Sequence, residues 1–472
     1  MQIMLPFPVL SIIKTITDSG YSCELVGGAV RDLLLGIPTK DWDFATNATP
    51  EQILPLFTES FYENAFGTVM VAQKHLKVQF GFEAPEDEDN LVYDITTYRS
   101  DGTYRNNRHP ETVTWGKTIQ EDLERRDFTI NAMALRITSS LSKISADQIA
   151  CDLIDPFFGQ QDLGEKIIST VGNPDERFKE DAVRMLRAVR FTVQLDMELE
   201  PTTALAIKKH SELLTKISAE RISEEFMKML SSAAPDKALL TMESVGLLPH
   251  VLPELLEAKG VKQSGHHIYD VWEHSLRAVA TCTSPDPIVR LATLLHDIAK
   301  PQTARVTPTG TVTFYSHEVI GARIAKKIAM RLRLSKRDCD RVFTLVRWHM
   351  FTYEKHVTDA YIRRFIRRIG IENIDDMMAL RTGDRLGSGS KASSWRLEEL
   401  KERIYNELHQ PLKVTDLVID GNDVMTELNI TPGPVIGEVL NKLFEDVLDT
   451  PEHNTREYLL PKMHKLTLTT KV

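Results

Sequence analysis

The hydrophobic pattern changes character once along the chain. Up to about residue 140 the apolar positions fall in short runs broken by glycine, proline and polar clusters. ELVGG reads as a strand entering a turn, VRDLLLG as a short helix and DWDFAT as a strand. TPEQILPLF opens a helix with Thr49 as N-cap and Pro50 at its first position. TVMVAQ, LKVQFGF, LVYDITTYR and ETVTW follow as strands, with a polar loop at DEDN (87–90) and a mobile loop at RSDGTYRNNRHP (99–110). EDLERRDFTINAMAL (121–135) sets Arg125, Arg126 and Asp127 ahead of an apolar-periodic helix, and DPFFGQQDLGEK (155–166) supplies a glycine-bearing turn. Such a mixture predicts an α+β layer with a mixed sheet.

From about residue 141 the period becomes helical, as in AVRMLRAVRF, TTALAIKKHSELL, AERISEEFMKML and ALLTMESVGLL, and an all-helical remainder is expected. A Pro-, Gly- and Thr-rich loop (301–312) interrupts it, and GSGSKASS (387–394) reads as a flexible connection before a last helical segment.

At 472 residues the chain exceeds one compact core, so two to four domains are expected. Its 42% hydrophobic and 26% charged residues are those of a globular protein, and no apolar run approaches membrane-spanning length. The opening MQIMLPFPVLSIIKTI lacks a basic start and a small-residue cleavage site, so it reads as a first amphipathic element. Four scattered cysteines form neither a CxxC pair nor a disulfide framework, which fits a reducing cytoplasm. A net charge of −10 confines any nucleic-acid footprint to local patches. RRFIRRIG (Arg363, Arg364, Arg367, Arg368) and RLRLSKRDCDR (331–341) are candidates, with a solvated helix face as the plainer reading.

Chemistry concentrates first in GGAVRDLLLGIPTKDWDFAT (27–46). A GG turn before a helix lets backbone approach a phosphate at the positive helix end. Asp41 and Asp43, alternate on a strand, aim two carboxylates at one place and repel unless a cation lies between them, as Mg²⁺ does on a nucleoside triphosphate. Asp94 in VYDITTYR is the candidate third carboxylate. Further on, Arg184, Arg187 and Arg190 recur every third residue, with Asp181 three before the first, which predicts one helical face. Aspartate accepts from exocyclic amines and arginine donates to ring acceptors or phosphate, so this ladder suits a nucleotide.

The ordered set GGAVRD, KDWDF, RRDFTINAMA, DPFFGQQDL, EDAVRMLRAVRF and AERISEEF, over roughly the first 230 residues, resembles the class II tRNA nucleotidyltransferases, the CCA-adding enzymes, and their poly(A) polymerase relatives. One departure is Gln160, where a second glycine is common. The resemblance implies a polymerase-β-like head (1–140), a helical neck with nucleotide-selecting and RNA-binding helices (141–235), an HD domain (236–392) and a helical tail (393–472). It implies Mg²⁺ held by Asp41 and Asp43, Gly28 and Arg31 on the triphosphate, and Arg126 seating the nucleotide. Asp181 and Arg184 would read the base, Arg187 and Arg190 continue that face, and Glu220 and Arg221 support the neck. The implied partners are the tRNA 3′ end, CTP and ATP, with no membrane.

A second constellation comprises His274 in VWEHSL, His296–Asp297 in LLHDIAKP and Asp384 in RTGDRLGSG, and resembles the ligand set of an HD-type metal site. Imidazole and carboxylate together suit Mg, Mn, Ni or Fe. His317 and His349 extend the set toward a second metal. In similar segments of tRNA nucleotidyltransferases this implies a phosphodiesterase or phosphatase for 2′,3′-cyclic or 2′-phosphate ends.

Within the family, full CCA addition competes with A-only addition, CC-only addition and poly(A) tailing. NAFGTVMVAQ (64–73) favours the tRNA enzymes, and RSDGTYRNNRHP matches a loop that CC-only enzymes tend to lack. Outside the family stand a protein-modifying or alarmone enzyme, which needs neither AERISEEF nor the arginine ladder, and a non-catalytic RNA-binding protein, which does not need intact Asp41, Asp43, Asp181 and Arg184.

Overall fold

The short apolar runs of the amino-terminal part assemble into an eight-stranded sheet. The computed structural model describes residues 1–39, 41–63, 67–101, 104–105, 109–110, 113–139, 149–263, 268–351, 353–354 and 356–469. It forms two units, Met1–Val251 and Leu252–Val472.

Across the sheet of the first unit the strands run Gln2–Ile3, Ile149–Ile154, Ala134–Ile137, Cys23–Val26, Trp42–Thr46, Val92–Thr97, Thr68–Ala72, Phe61–Glu63. Neighbours are antiparallel except Trp42–Thr46 and Val92–Thr97, which pair in parallel. Leu25, Phe44, Val69, Ile95 and Leu135 are fully buried, and the apolar side of helix Phe7–Asp18 buries Val9, Leu10, Ile12, Ile13 and Ile16. Thr49 and Gln52 form a capping box ahead of Pro50, as the sequence predicts.

Two strand and helix expectations change places. LKVQFGF lies in a helix, Gln73–Phe80, closed by Gly81 in the left-handed region. Its apolar alternation does not track burial: Leu76 is buried, Val78 is 81% exposed, and buried Gln73 accepts a 2.6 Å bond from the Tyr93 hydroxyl. FTINAMAL is no helix but a 3-10 turn, Thr129–Asn131, and a strand, Ala134–Ile137. Strands pair with Ala134–Ile137 on both sides, and so short an apolar run is ambiguous between the two periods.

The remainder is mostly helical but not wholly so. Ile149–Ile154 joins the sheet beyond residue 140, Ile167–Ile168 pairs with Glu198–Leu199, and the 301–312 segment contains the hairpin Arg305–Val306 with Val312–Thr313. The mobile-loop expectation at 99–110 and the reading of NAFGTVMVAQ fall partly outside the described residues; Arg99–Asp101 pairs with Val113–Trp115.

In the second unit, helices Val271–Thr281, Pro287–Leu295, His317–Arg331, Lys336–Trp348 and Ile374–Gly387 pack on one another. Farther along, Val424, Leu443, Phe444, Val447, Leu459 and Met463 close a separate core. The basic face of RRFIRRIG is used inside the protein. Arg363 is buried, donating to the carbonyls of Leu448 (2.7 Å) and Asp449 (3.0 Å), the last of helix Pro434–Asp449, and to Glu407 (2.6 Å). Arg364 pairs with Asp449 and Arg367 with Glu445. In 331–341, Arg331 meets Glu254 and Arg341 meets Asp286 and Asp376.

Helix Ile374–Gly387 approaches Val271–Thr281 very closely. A Cβ on Gly383 would sit 2.5 Å from the Ala278 carbonyl oxygen, and one on Gly387 2.8 Å from the Ala278 nitrogen. This contact brings Asp384 to His274 (3.4 Å). Gly383→Ala is therefore expected to destabilise the second unit by about 1–3 kcal/mol, read as a lower urea midpoint of the transition that reports Trp272. An unchanged midpoint would mean the helices can separate freely.

Candidate functional site

Gly27, with φ 71° and ψ −138°, turns strand Cys23–Val26 into helix Gly28–Leu35. A Cβ there would lie 2.8 Å from Arg126 Nη1 and 3.2 Å from Asp43 Oδ2. Both the conformation and the space exclude a larger residue, and that space is what lets Arg126 reach the aspartate strand.

Asp43 stands opposite Val26 on one neighbouring strand and opposite Asp94 on the other. Adjacent residues of a ladder share a face of the sheet, so Asp43 and Asp94 lie on the same side. Asp41 precedes the strand and is exposed. Burial pushes the Asp43 carboxyl up to about 6; Asp41 and Asp94 push the same way and Arg126 opposes them. Crowded acceptor-only oxygens of this kind fit a hard divalent cation.

Buried carboxylates aim the arginines around this strand. Asp122, fully buried, takes Arg125 Nη2 at 2.6 Å and Arg126 Nη2 at 3.0 Å. Burial alone would raise Asp122 and Asp127, but Arg126 and Arg125 beside the first and Arg187 and Arg184 beside the second outweigh it and hold both low. Arg187 meets Asp127 at 2.6 Å, and Arg184 meets Glu180 at 2.6 Å. A cavity of about 470 Å³ opens here, lined by Asp43, Arg125, Arg126, Asp181, Arg184 and Arg187, with Arg221 and Lys228 also on its wall.

The ladder does not form one face. Helix Pro174–Glu180 ends before Asp181, whose backbone is extended (φ −148°, ψ 103°), and the next helix is Val183–Leu195. Asp181 caps that helix through the Val183 amide (3.1 Å), and Arg221 holds its carboxylate in a two-point grip at 3.0 and 2.6 Å. On the helix, each three-residue step falls about 60° short of a full turn. Arg184 and Arg187 therefore line the cavity, whereas Arg190 turns to Glu225 (2.7 Å) and lies 4.2 Å from the Phe191 ring.

Other expected residues lie at the margin. Arg31 is buried beneath the GG turn, bonded to Asp32 (2.8 Å) and to the Asn131 side-chain oxygen (2.7 Å), and neither it nor Gly28 is on the cavity wall. Glu220 is exposed and off the wall. Gln160 leaves its turn intact: Asp155 accepts from the Gly159 and Gln160 amides at 2.7 and 2.9 Å. Sequence reasoning named Arg125 without a role in the site and missed Asp122, although its helical spacing, three and four residues before Arg125 and Arg126, was a legible signal. Nothing in the sequence announces the pairing of Asp127 with Arg187.

In the second unit His274, His296, Asp297, His317, His349 and Asp384 meet, all buried. Asp297 Oδ2 lies 3.3 Å from the Nε2 atoms of both His274 and His296, while its Oδ1 faces His317 (3.3 Å) and His349 (3.9 Å). Two metal-competent triads thus share one carboxylate. The ring orientations fit metal ligation: His296, His317 and His349 direct Nδ1 at the carbonyls of Thr293, Phe314 and Val346, leaving Nε2 inward. The buried Nε2 of His317 has no hydrogen-bond partner. Burial alone would lower His296, but Asp297 and Asp384 outweigh it and raise it to about 10. Sequence reasoning missed Lys300, 2.6 Å from Asp297, and Arg381, 2.5 Å from Asp384, each three residues from its partner.

A nucleotidyltransferase-like head and a buried histidine–aspartate centre on one chain define the class. Residues 23–169 match the poly(A) polymerase head domain, 196–259 the probable RNA and SrmB-binding site of polymerase A, and 266–406 the HD domain. The chain is 32% identical to the A-adding tRNA nucleotidyltransferase of Deinococcus radiodurans, over 89% of this chain and 90% of that one. It is 31% identical to a CCA-adding enzyme of Ligilactobacillus salivarius, over 97% and 96%. The crystal structure of the Bacillus stearothermophilus CCA-adding enzyme in complex with CTP superimposes with a TM-score of 0.68 at 26% identity, covering 99% of both chains. The chain belongs to the class II tRNA nucleotidyltransferase family, with an HD domain.

The raised Asp43 carboxyl has a sign that can be measured. Its stabilising protonated form is present below the unfolded carboxyl range and is lost as pH rises through about 6. In chelated protein, Asp43→Asn is expected to equal the parent in stability near pH 4 and to exceed it by about 2–3 kcal/mol at pH 8, measured by urea denaturation of the first unit. A pH-independent difference would refute the buried-charge account.

Proposed function

We propose that the protein adds C, C and A to the 3′ end of tRNA from CTP and ATP without a nucleic-acid template. The observation that carries this reading is the parallel register that sets Asp43 beside Asp94, on a cavity whose wall also holds Asp181 and Arg184. Asp41, Asp43 and Asp94 would hold Mg²⁺, which when bound neutralises triphosphate charge and favours the ionised 3′-hydroxyl. The RNA 3′-hydroxyl attacks the α-phosphate and pyrophosphate leaves. Arg126, with Arg125 fixed beside it by Asp122, seats the triphosphate, and Arg187 adds positive charge to the same wall.

Cytosine and adenine each offer an exocyclic amine next to a ring acceptor. Asp181 accepts from the first and Arg184 donates to the second, whereas uracil and guanine leave buried groups unmatched. The grip of Arg221 on Asp181 supports a fixed carboxylate edge for this task. Its partner Glu220 props the same neck helix, and Arg190 acts through Glu225 rather than on the nucleotide. Gly28 and Arg31 build the turn beneath the phosphates.

The HD centre, with His274, His296, Asp297 and Asp384 holding Mg, Mn, Ni or Fe, hydrolyses a phosphoester at an RNA end. Its cations when bound supply an activated water; Lys300 and Arg381 keep Asp297 and Asp384 ionised and oriented. The four cysteines are buried and free, in keeping with work in the cytoplasm, and among the described residues no helix is long and apolar enough to cross a membrane.

tRNA transcripts ending before CCA, after C and after CC, given CTP and ATP with Mg²⁺, should all be completed and then left. Extension of the CC-ended transcript alone would make this an A-adding enzyme, like the Deinococcus relative, and long A tails a poly(A) polymerase. Asp41→Ala should cut addition roughly a thousandfold or more and spare hydrolysis, with Asp297→Ala doing the reverse. Asp181→Ala should narrow the preference of CTP and ATP over UTP and GTP while tRNA affinity holds; unchanged selectivity would remove Asp181 from base reading.

A further inference from the structure

Helix Ile374–Gly387 serves the HD centre through Asp384 and runs on past it. Arg381 grips Asp384 at 2.5 Å, and Arg385, one turn further, lines the same cavity of about 500 Å³. Both arginines also line a second cavity, of about 190 Å³, walled by Phe351, Tyr353 and Arg396. The two spaces therefore share a guanidinium wall.

That second cavity also carries a carboxylate, Glu354, which lies 3.3 Å from His356. Arg331, Arg341, Arg363, Arg364, Arg367 and Arg403 are each matched to a carboxylate. Among the described residues no carboxylate lies within ion-pair distance of Arg385 or Arg396. Aromatic rings accompany them: Phe351 lies 5.4 Å from the Arg381 guanidinium, and Trp395, 54% exposed, lies 5.4 Å from that of Arg396. Guanidinium groups with no carboxylate partner, Arg385 Nε donating to the Lys391 carbonyl (3.1 Å), stand beside aromatic faces and suit a strand that carries both phosphates and flat rings.

We propose that this second cavity is the subsite for the penultimate nucleotide, the one before the nucleotide that carries the scissile phosphate, so that the HD centre acts on the phosphorylated end of an RNA chain in preference to a free mononucleotide. This rests on the reading of the HD centre as a phosphoester hydrolase. Arg385 and Arg396 hold the internucleotide phosphate, and Phe351 and Trp395 offer faces to the adjoining base. Hydrolysis adds the water hydroxyl to phosphorus, breaks one phosphorus–oxygen bond to ribose and leaves the water proton on that ribose oxygen.

The test uses the full chain loaded with Ni²⁺ or Mn²⁺. Its substrates are 2′,3′-cyclic AMP and a trinucleotide ending in a 2′,3′-cyclic phosphate, the latter also with 4-thiouridine at its penultimate position for photo-crosslinking. The trinucleotide is expected to show a KM about tenfold or more below that of the mononucleotide, with crosslinks mapped by mass spectrometry to 351–354 or 394–400. Arg396→Ala should raise the trinucleotide KM by about tenfold, leave kcat and the mononucleotide parameters unchanged, and remove the crosslink. Equal kinetics for the two substrates, insensitive to Arg396→Ala, with crosslinks elsewhere would overturn the subsite. Crosslinks at these residues without hydrolysis of either substrate would sustain the subsite and sink the hydrolase reading instead.

Discussion

A carboxylate withdrawn from water must be met by positive charge, and the first unit is organised around how it meets that demand. Glu24, fully buried in the central strand, is answered by Arg136 at 2.6 Å and by the Tyr98 hydroxyl. Asp122 is answered by Arg125 and Arg126, and Asp127 by Arg187. These pairs are not in themselves a source of stability, since desolvation offsets much of the attraction. What they provide is placement: each removes a guanidinium's freedom to wander, and Asp122 and Asp127 thereby fix Arg125, Arg126 and Arg187 on the cavity wall. Asp43 is treated differently. Burial raises its carboxyl first, Asp41 and Asp94 push the same way, and Arg126 only partly opposes them. The strand thus carries a negative charge that the protein itself leaves undercompensated, beside arginines already fixed in position. Divalent cations shared with a triphosphate would supply the missing positive charge.

The same logic runs through the HD centre with the signs shared differently. Asp297 presents one oxygen to each histidine triad, so a single side chain links both halves of the constellation. Lys300 and Arg381 stabilise the two carboxylates from behind, and three backbone carbonyls select the inward-facing nitrogen of His296, His317 and His349. The close helix contact at Gly383 and Gly387 completes the set by delivering Asp384.

Residue identity at contiguous motifs was legible in the sequence, while their three-dimensional continuation was not. Asp43 is read from a few adjacent letters because the strand period fixes where its side chain goes, whereas Asp41 precedes that strand and His296–Asp297 follow helix Pro287–Leu295. The arginine ladder misled because a three-residue spacing drifts around a helix, and the helix break at Asp181 is not visible in composition. LKVQFGF and FTINAMAL exchanged their expected states because short apolar runs satisfy either period, and only the neighbouring strands and the Gly81 cap decide between them. The basic face of RRFIRRIG could not be judged without its partners, the carbonyl end and acidic side of Pro434–Asp449.

The base selection proposed for Asp181 would sit outside regular structure. Its extended backbone frees the side chain from the helical lattice, yet three constraints hold it: the carboxylate caps the Val183 amide, Arg221 grips both oxygens, and Arg184 stands on the first turn of the helix it caps. A carboxylate embedded in a helix face would be aimed by the helix alone. At this junction its aim depends on Arg221, which belongs to a different helix, Ala219–Leu230, tied to the first again through Glu225 and Arg190. A small displacement between those two helices therefore moves the acceptor edge relative to Arg184. That is the degree of freedom one aspartate–arginine pair needs to meet two bases whose donor and acceptor pattern is alike but whose rings differ in size.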